Sequence, residues 1–284
     1  MALWRLMRPH QWLKNGFVLV GAAFGHQWNA PTLAQVALVF AGFCAISSAV
    51  YVLNDVFDAA SDKLHPVKRL RPVASGHVGR GQAVLLGGVL AVIALALSAV
   101  AGRAALAIIA GYALLNVAYT LKLKRVVVVD VFVIALGFML RIFAGTLGVG
   151  IPPSSWLLLC GMMLALFLGF SKRRAELAAV VDGYAARPVL MAYSLQMLDQ
   201  FLAVTATCTI LGYALYAVSP ETIALHGTAK LIYGLPFVAY GMFRYLYLLH
   251  QGGGGQDAAR DVLGDAHMLV AALGWVALTL WLLS

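Results

Sequence analysis

Charge is scarce in this chain. Only 11% of its 284 residues are Asp, Glu, Lys or Arg, against about 25% in an ordinary soluble domain. Cysteine is scarce too: Cys44, Cys160 and Cys208 are far apart, each inside an apolar stretch. That excludes a disulfide framework and any thiolate metal motif, and reads as small apolar core residues. The seven histidines show no metal-ligand spacing. No G-x-S-x-G and no P-loop pattern occurs, so those nucleophile and phosphate-cradle chemistries have no support. No short internal repeat is visible, and Gly252–Gly255 is a flexible stretch within a loop rather than a domain linker.

Apolar residues fill the space that charge leaves. They make up 62% of the chain, and the mean hydropathy is +0.89. A soluble core of this size cannot hide that much apolar surface, so lipid is the expected solvent. A spanning helix needs about 20 mostly apolar residues. Runs of that kind fall at about 15–28, 32–57, 82–101, 104–121, 126–147, 155–171, 196–218, 230–249 and 266–283. Breaks lie at Pro31, Gly102–Arg103, Pro152–Pro153, Ser219–Pro220 and Gly252–Gly255. The expectation is an all-α, polytopic membrane protein of about nine transmembrane helices, forming a single integral-membrane domain over residues 1–284. Arg5, Arg8 and Lys14 before the first run resemble the start of a signal peptide. An uncleaved first helix fits better, because the rest of the chain spans the membrane as well.

The net charge is +9. Positive residues cluster in the N-terminal segment and after runs two, four, six and eight: Lys63, Lys68, Arg69, Arg71, Arg80, Lys122, Lys124, Arg125, Lys172, Arg173, Arg174, Arg187 and Arg260. The other loops hold little beyond Arg103 and Lys230. This alternation predicts a cytoplasmic N-terminus and an external C-terminus in a plasma membrane. It also accounts for the basic balance without nucleic acid, and leaves room for anionic substrates. Ten of the eleven acids share that face, Glu221 being the exception. The positive-inside rule does not require this, so one membrane face is expected to carry the chemistry.

The most informative segment runs from Ser47 to Gly76. Asn54, Asp55, Asp58 and Asp62 form N-D-x-x-D-x-x-x-D at the end of run two. Offsets of three, four and seven share one helix face. Like charges so placed repel unless a cation sits among them, and a carboxylate in a bilayer costs about 2.5–3.5 kcal/mol. Mg²⁺ held by Asp55, Asp58, Asp62 and Asn54 resolves both problems, since it takes oxygen ligands together with substrate phosphates. A solvated helix end balanced by nearby lysines is the plainer reading. Lys68, Arg69 and Arg71 follow directly and are candidate phosphate contacts; as single residues they also read as topology anchors. His65 and His77 lie in the same loop.

Other ionisable groups stand on or near the same face. Asp130 and Arg141 lie inside an apolar stretch, where such residues are functional by default; a core ion pair is the alternative. Lys172 and Arg173 sit beside Glu176 after run six, as phosphate ligands or as an anchor. Asp257, Asp261 and Asp265 recur before run nine, closing the site or capping the helix.

With these residues in view, the chain resembles the UbiA superfamily of intramembrane prenyltransferases over nearly its whole length. It looks most like the decaprenyl-phosphate phosphoribosyltransferase branch. The strings that carry this are R-P-H-Q-W-L-K-N (Arg8–Asn15), H-P-V-K-R-L-R-P-V-A-S-G (His65–Gly76), G-F-M-L-R (Gly137–Arg141), K-R-R-A-E-L (Lys172–Leu177) and P-F-V-A-Y-G-M-F-R-Y (Pro236–Tyr245). Aromatic prenyltransferases typically carry a second paired-aspartate motif. Here Asp130 stands alone, with Tyr119, Lys122 and Lys124 upstream. The resemblance implies Mg²⁺-dependent transfer of 5-phosphoribose from 5-phosphoribosyl-1-diphosphate to a polyprenyl phosphate, for lipid-linked arabinose synthesis. It also implies catalytic roles for Asp55, Asp58, Asp62 and Asp130. Substrate contacts would come from Lys14, Asn54, Lys68, Arg69, Arg71, Tyr119, Lys122, Lys124, Arg141, Lys172, Arg173 and Asp265. A homo-oligomer is compatible with the sequence. Two other functions fit parts of the pattern: prenyl transfer from a prenyl diphosphate to a lipophilic acceptor, and transport of an anionic metabolite. Charges gathered on one face favour an enzyme over a transporter.

Overall fold

The computed structural model describes residues 2–24, 29–64, 68–179, 188–252, 254–255 and 257–283. Among them every regular element is helical. Arg187 and His65 lie outside the described residues. The α-helices are α1 (Ala2–Met7), α2 (Val20–Phe24), α3 (Ala30–Phe57), α4 (Ala59–Asp62), α5 (Arg80–Ala101), α6 (Arg103–Leu121), α7 (Val129–Gly145), α8 (Ser155–Ala178), α9 (Leu195–Val218), α10 (Pro220–His226), α11 (Leu235–His250), α12 (Ala258–Gly264) and α13 (Ala266–Leu283).

Polar residues set the helix starts. Asn29 accepts a hydrogen bond from Thr32 N at 3.0 Å, with a proline in the first turn of α3. Ser154 and Ser194 accept from Leu157 N and Met197 N, both at 3.1 Å, and so cap α8 and α9. These side chains satisfy amides that the helix leaves unpaired. Gly102, with φ 147°, turns α5 directly into α6.

Among the described residues, seven segments are long and apolar enough to cross a membrane: Ala30–Phe57, Arg80–Ala101, Arg103–Leu121, Val129–Val149, Ser155–Ala178, Leu195–Val218 and Ala266–Leu283. Of the nine runs expected, the first and the eighth are not among these seven. Run one begins in a 3₁₀ helix, Pro9–Leu19, followed by the five-residue α2. Run eight splits into a 3₁₀ helix, Lys230–Gly234, and the 16-residue α11. At 1.5 Å per residue α11 reaches about 24 Å, less than a bilayer core. Leu85, Val92, Leu114, Val270, Leu280 and Trp281 are each more than half exposed. Lipid is the solvent such faces match, and this is an integral membrane protein.

The chain divides into two compact units. The first holds Met1–Lys124 and Gly137–Pro153, the second Arg125–Leu136 and Ser154–Ser284. In the first, α3 packs on α5 and α6 around Val39, Phe43, Ile46, Ala94, Ile109 and Tyr112. A second cluster in that unit joins Leu6, Ala49, Val52, Val73, Val78 and Leu90. Gly21 and Gly145 let the N-terminal segment cross the end of α7 backbone to backbone: a methyl at Gly21 would collide with the Gly145 carbonyl. In the second unit α8 packs on α9 and α11 on α13, with Phe170 against Phe201 and Phe167 against Tyr245.

Candidate functional site

The acidic motif closes α3 in the first unit. Helical hydrogen bonding continues through it, from Asp58 N to Asn54 O and from Asp62 N to Asp58 O, both 2.8 Å. Each carboxylate is drawn to a cation. Asp55 Oδ1 accepts from Arg8 Nη2 at 2.5 Å and lies 3.4 Å from Arg71 Nη1. The same Arg71 nitrogen donates to Asp62 Oδ2 at 2.7 Å. Lys124 Nζ stands 3.3 Å from Asp58 Oδ1. Three carboxylates thus meet three cations. Asp55 is only 2% exposed, whereas Arg8 and Arg71 are 24% and 27% exposed. Asn54 is set apart, its Oδ1 being 2.7 Å from the Thr120 hydroxyl.

Local turns position the two arginines. Arg8 has φ +53°, an uncommon left-handed conformation for a side-chain-bearing residue. Trp12 Nε1 donates to Ser48 Oγ, and Ser48 Oγ donates to Met7 O, both at 2.9 Å. These bonds tie the Arg8 turn to α3, and its guanidinium stacks over Tyr51 at 5.2 Å. Arg71 follows the 3₁₀ turn Lys68–Leu70, and its carbonyl accepts from Ser75 N at 2.8 Å. Buried Val73, Ala74 and Val78 fix that loop.

The remaining residues proposed from the sequence in this unit have other surroundings. Arg69 and Lys122 are exposed, Lys68 and Tyr119 half-buried. Lys14 donates to Gln11 Oε1 at 2.5 Å. His77 bonds to Ser75, 2.7 Å away. Arg141 is buried. Its Nε donates to Asn15 Oδ1 at 2.8 Å, Nη1 to Gly137 O at 2.7 Å and Nη2 to Tyr112 OH at 3.1 Å. Phe43, Tyr112 and Phe138 surround it with aromatic faces. Every nitrogen has a protein acceptor and the rings offset the lost hydration. Arg141 in this setting locks helices together.

The second unit holds a different cluster. Asp130, in the first turn of α7, is wholly buried. Arg173 Nε donates to its Oδ2 at 2.6 Å and Tyr193 OH to its Oδ1 at 2.7 Å. Val128 N donates to the same Tyr193 oxygen at 2.6 Å. That bond secures a turn in which Val128 has φ +68°, a strained value for a β-branched residue. Arg173, also wholly buried, pairs with Glu176 as well. Both Asp130 oxygens are therefore taken, and Arg173 faces protein rather than open space. Burial, then the bond to Asp130, pushes the Tyr193 hydroxyl well above the usual tyrosine range.

Lys172 beside this pair is half-buried. Arg174 pairs with Asp199 at 2.5 Å. Asp265 binds Arg244 through both oxygens, at 3.1 and 2.7 Å, and accepts from Met268 N at 2.9 Å. It caps α13, and those bonds, the arginine's first, hold its carboxyl down at about 2. Asp261 accepts from Tyr245 OH and Gly255 N.

Mg²⁺ needs only one or two carboxylates when phosphate and water complete its shell. Asp55 and Asp62 supply that number, since both reach one guanidinium nitrogen. Among the described residues no group of three or more His, Cys, Asp or Glu side chains gathers for a metal. So the four-residue set Asn54, Asp55, Asp58 and Asp62 does not form one protein cage. The motif bends into α4 after Phe57, and Asp58 and Asn54 are drawn to Lys124 and Thr120 instead. The donors fit a metal shared with a phosphate ligand.

The acidic motif at the end of an apolar helix, with basic residues closing on it, is matched by one family description. The UbiA prenyltransferase family covers residues 16–270. The chain belongs to this family. It is accordingly a membrane transferase. The decaprenyl-phosphate phosphoribosyltransferase of Corynebacterium glutamicum is 34% identical over 282 residues, covering 96% of this chain and 83% of that protein. The protein of the same name from Mycolicibacterium smegmatis is 30% identical over 284 residues, covering 96% and 89%. A UbiA homolog from Archaeoglobus fulgidus, solved with GPP and Mg²⁺, superimposes with a TM-score of 0.73 at 17% identity, covering 100% of this chain and 99% of that one. That likeness establishes the UbiA fold.

Thr120, Asn15 and Tyr193, and Arg8 beyond its place among the N-terminal basic residues, are marked as site residues by no motif or spacing. Arg8 and Asn15 bracket the string R-P-H-Q-W-L-K-N, which held the signal without showing their partners. Tyr193 and Thr120 carried none.

Proposed function

We propose that this transferase moves 5-phosphoribose from 5-phosphoribosyl-1-diphosphate to a polyprenyl phosphate, in a Mg²⁺-dependent reaction that releases diphosphate. The observation that carries the reading is the 30–34% identity, over nearly the full chain, to proteins named decaprenyl-phosphate phosphoribosyltransferase. The product would be a precursor of lipid-linked arabinofuranose. The acid-bearing face would be cytoplasmic in a plasma membrane, where a soluble sugar donor is available, in keeping with the distribution of basic residues.

The chemistry asks for a handle on the leaving diphosphate. Asp55 and Asp62, with Asp58 beside them, would hold Mg²⁺. When bound, that ion supplies charge neutralisation on the leaving group and fixes its orientation. Arg8, Arg71 and Lys124 would bind diphosphate oxygens, with Lys68, Arg69, Lys122, Lys14 and Tyr119 as outer contacts and Asn54 as an orienting amide. The bond from C1 to the diphosphate oxygen breaks while an oxygen of the acceptor phosphate bonds to C1. That oxygen is already anionic, so no strong general base is required. Asp130, its oxygens held by Arg173 and Tyr193, would act by positioning the start of α7, and Asp265 by capping α13. Lys172 remains a candidate contact for an anionic group.

Purified protein incubated with Mg²⁺, labelled 5-phosphoribosyl-1-diphosphate and decaprenyl phosphate should yield labelled lipid. No such product, with product instead from a prenyl diphosphate and a phenolic acid, would replace this reading with prenyl transfer.

A further inference from the structure

Arg8 and Arg71 occupy the place where a cation among the motif carboxylates belongs. Asp55 Oδ1 lies between them, at 2.5 Å from Arg8 and 3.4 Å from Arg71. Arg71 reaches on to Asp62 at 2.7 Å. The two carboxylates are almost fully buried, but about a quarter of each arginine remains exposed. Arg8 also keeps its stack on Tyr51, a support that does not depend on Asp55. So Arg8 has a support besides Asp55, and each guanidinium has an open side that an incoming group can reach.

We infer that Arg8 and Arg71 are exchangeable counter-ions that make metal binding depend on the diphosphate. The cluster is neutral as it stands, with Asp55, Asp58 and Asp62 against Arg8, Arg71 and Lys124. A bare dication entering it meets two guanidiniums held on the carboxylates it needs. A metal arriving with diphosphate brings more negative charge than positive. The guanidiniums then gain phosphate oxygens, for which the planar fork is well suited, and give Asp55 and Asp62 to the metal. The metal site therefore opens only when the anionic ligand is present. Arg8 and Arg71 act twice in this loading step, first as counter-ions of the carboxylates and then as diphosphate ligands. The inference rests on the diphosphate-ligand part of the proposed function and not on which group is transferred.

Metal affinity measured without turnover tests it. Mn²⁺ alone, then Mn²⁺ with inorganic diphosphate, is titrated into the purified full-length protein and followed by electron paramagnetic resonance. The wild type should bind Mn²⁺ alone weakly, and at least about ten-fold more tightly with diphosphate. Arg8→Gln and Arg71→Gln should each raise the affinity for Mn²⁺ alone by roughly ten-fold, since one of the cations competing for the buried carboxylates is then gone. Arg71→Lys, which keeps the positive charge, should bind Mn²⁺ alone as weakly as the wild type, and circular dichroism confirms helix content in each variant. Unchanged or weaker binding of Mn²⁺ alone in both Gln variants would overturn the inference. So would equal affinity of the wild type with and without diphosphate. A protein that passes here but transfers prenyl rather than phosphoribosyl groups keeps the exchange and loses only the proposed donor.

Discussion

Both units pair an aspartate with an arginine, and they do so in opposite settings. Asp130 and Arg173 are each 0% exposed, and the pair is completed by Tyr193 and Glu176. Asp55 is as buried, but its partners Arg8 and Arg71 are open to solvent over about a quarter of their surface. A fully enclosed pair cannot trade partners without stranding a charge, so it fixes structure. A pair with one open member can exchange it for a ligand. Exposure of the arginine, more than the length of the bond, separates a lock from a candidate binding site here.

The largest effect that would break this contrast is on the enclosed pair. Arg173→Met should lower stability by about 3–5 kcal/mol, because Asp130 is left buried without its cation. Thermal unfolding in detergent reads it, and the double variant Asp130→Leu, Arg173→Met should recover most of the loss. Next, Tyr193→Phe should cost about 1–3 kcal/mol, since one substitution removes partners of both Asp130 Oδ1 and the strained Val128 amide. On the open side, Arg8→Gln should cost only about 1 kcal/mol or less, because Arg71 remains and the lost member is solvent-exposed. A loss as large as that of Arg173→Met would erase the distinction between the units.

The smallest effect is a pH dependence. The Asp265 carboxyl sits at about 2 in the folded protein, below its unfolded value of about 3.9. A depressed carboxylate stabilises above the unfolded value and loses that contribution as pH falls through the folded one. The unfolding-temperature difference between wild type and Asp265→Asn should therefore be constant above about pH 5 and shrink towards pH 2. A difference that shrank between pH 7 and 5 would point to another group.

Much of this architecture was legible in the sequence. Apolar runs bounded by proline, glycine and serine located the membrane helices, because hydropathy and capping act locally. The acidic motif was legible because its offsets match a helix face. Its partners were not. Arg8 lies 47 residues from Asp55, and Tyr193 lies 63 from Asp130. Pairings at that range depend on how helices pack, which periodicity does not reveal. The same limit applies to Arg141. An intramembrane arginine reads as functional, but only the packing shows Asn15 and the rings of Phe43, Tyr112 and Phe138 enclosing it. Run one differs for a local reason: its described part, residues 15–24, is the end of the 3₁₀ helix Pro9–Leu19 and the short α2.

The most direct test compares wild type with Asp58→Ala in one assay. It measures diphosphate released from 5-phosphoribosyl-1-diphosphate alongside labelled polyprenyl lipid, with Mg²⁺ present. The account predicts one diphosphate per lipid product in the wild type. In Asp58→Ala it predicts a fall of at least about 10²–10³-fold, with helix content and unfolding temperature retained. Full activity in Asp58→Ala, or no phosphoribosyl lipid from the wild type, would contradict it.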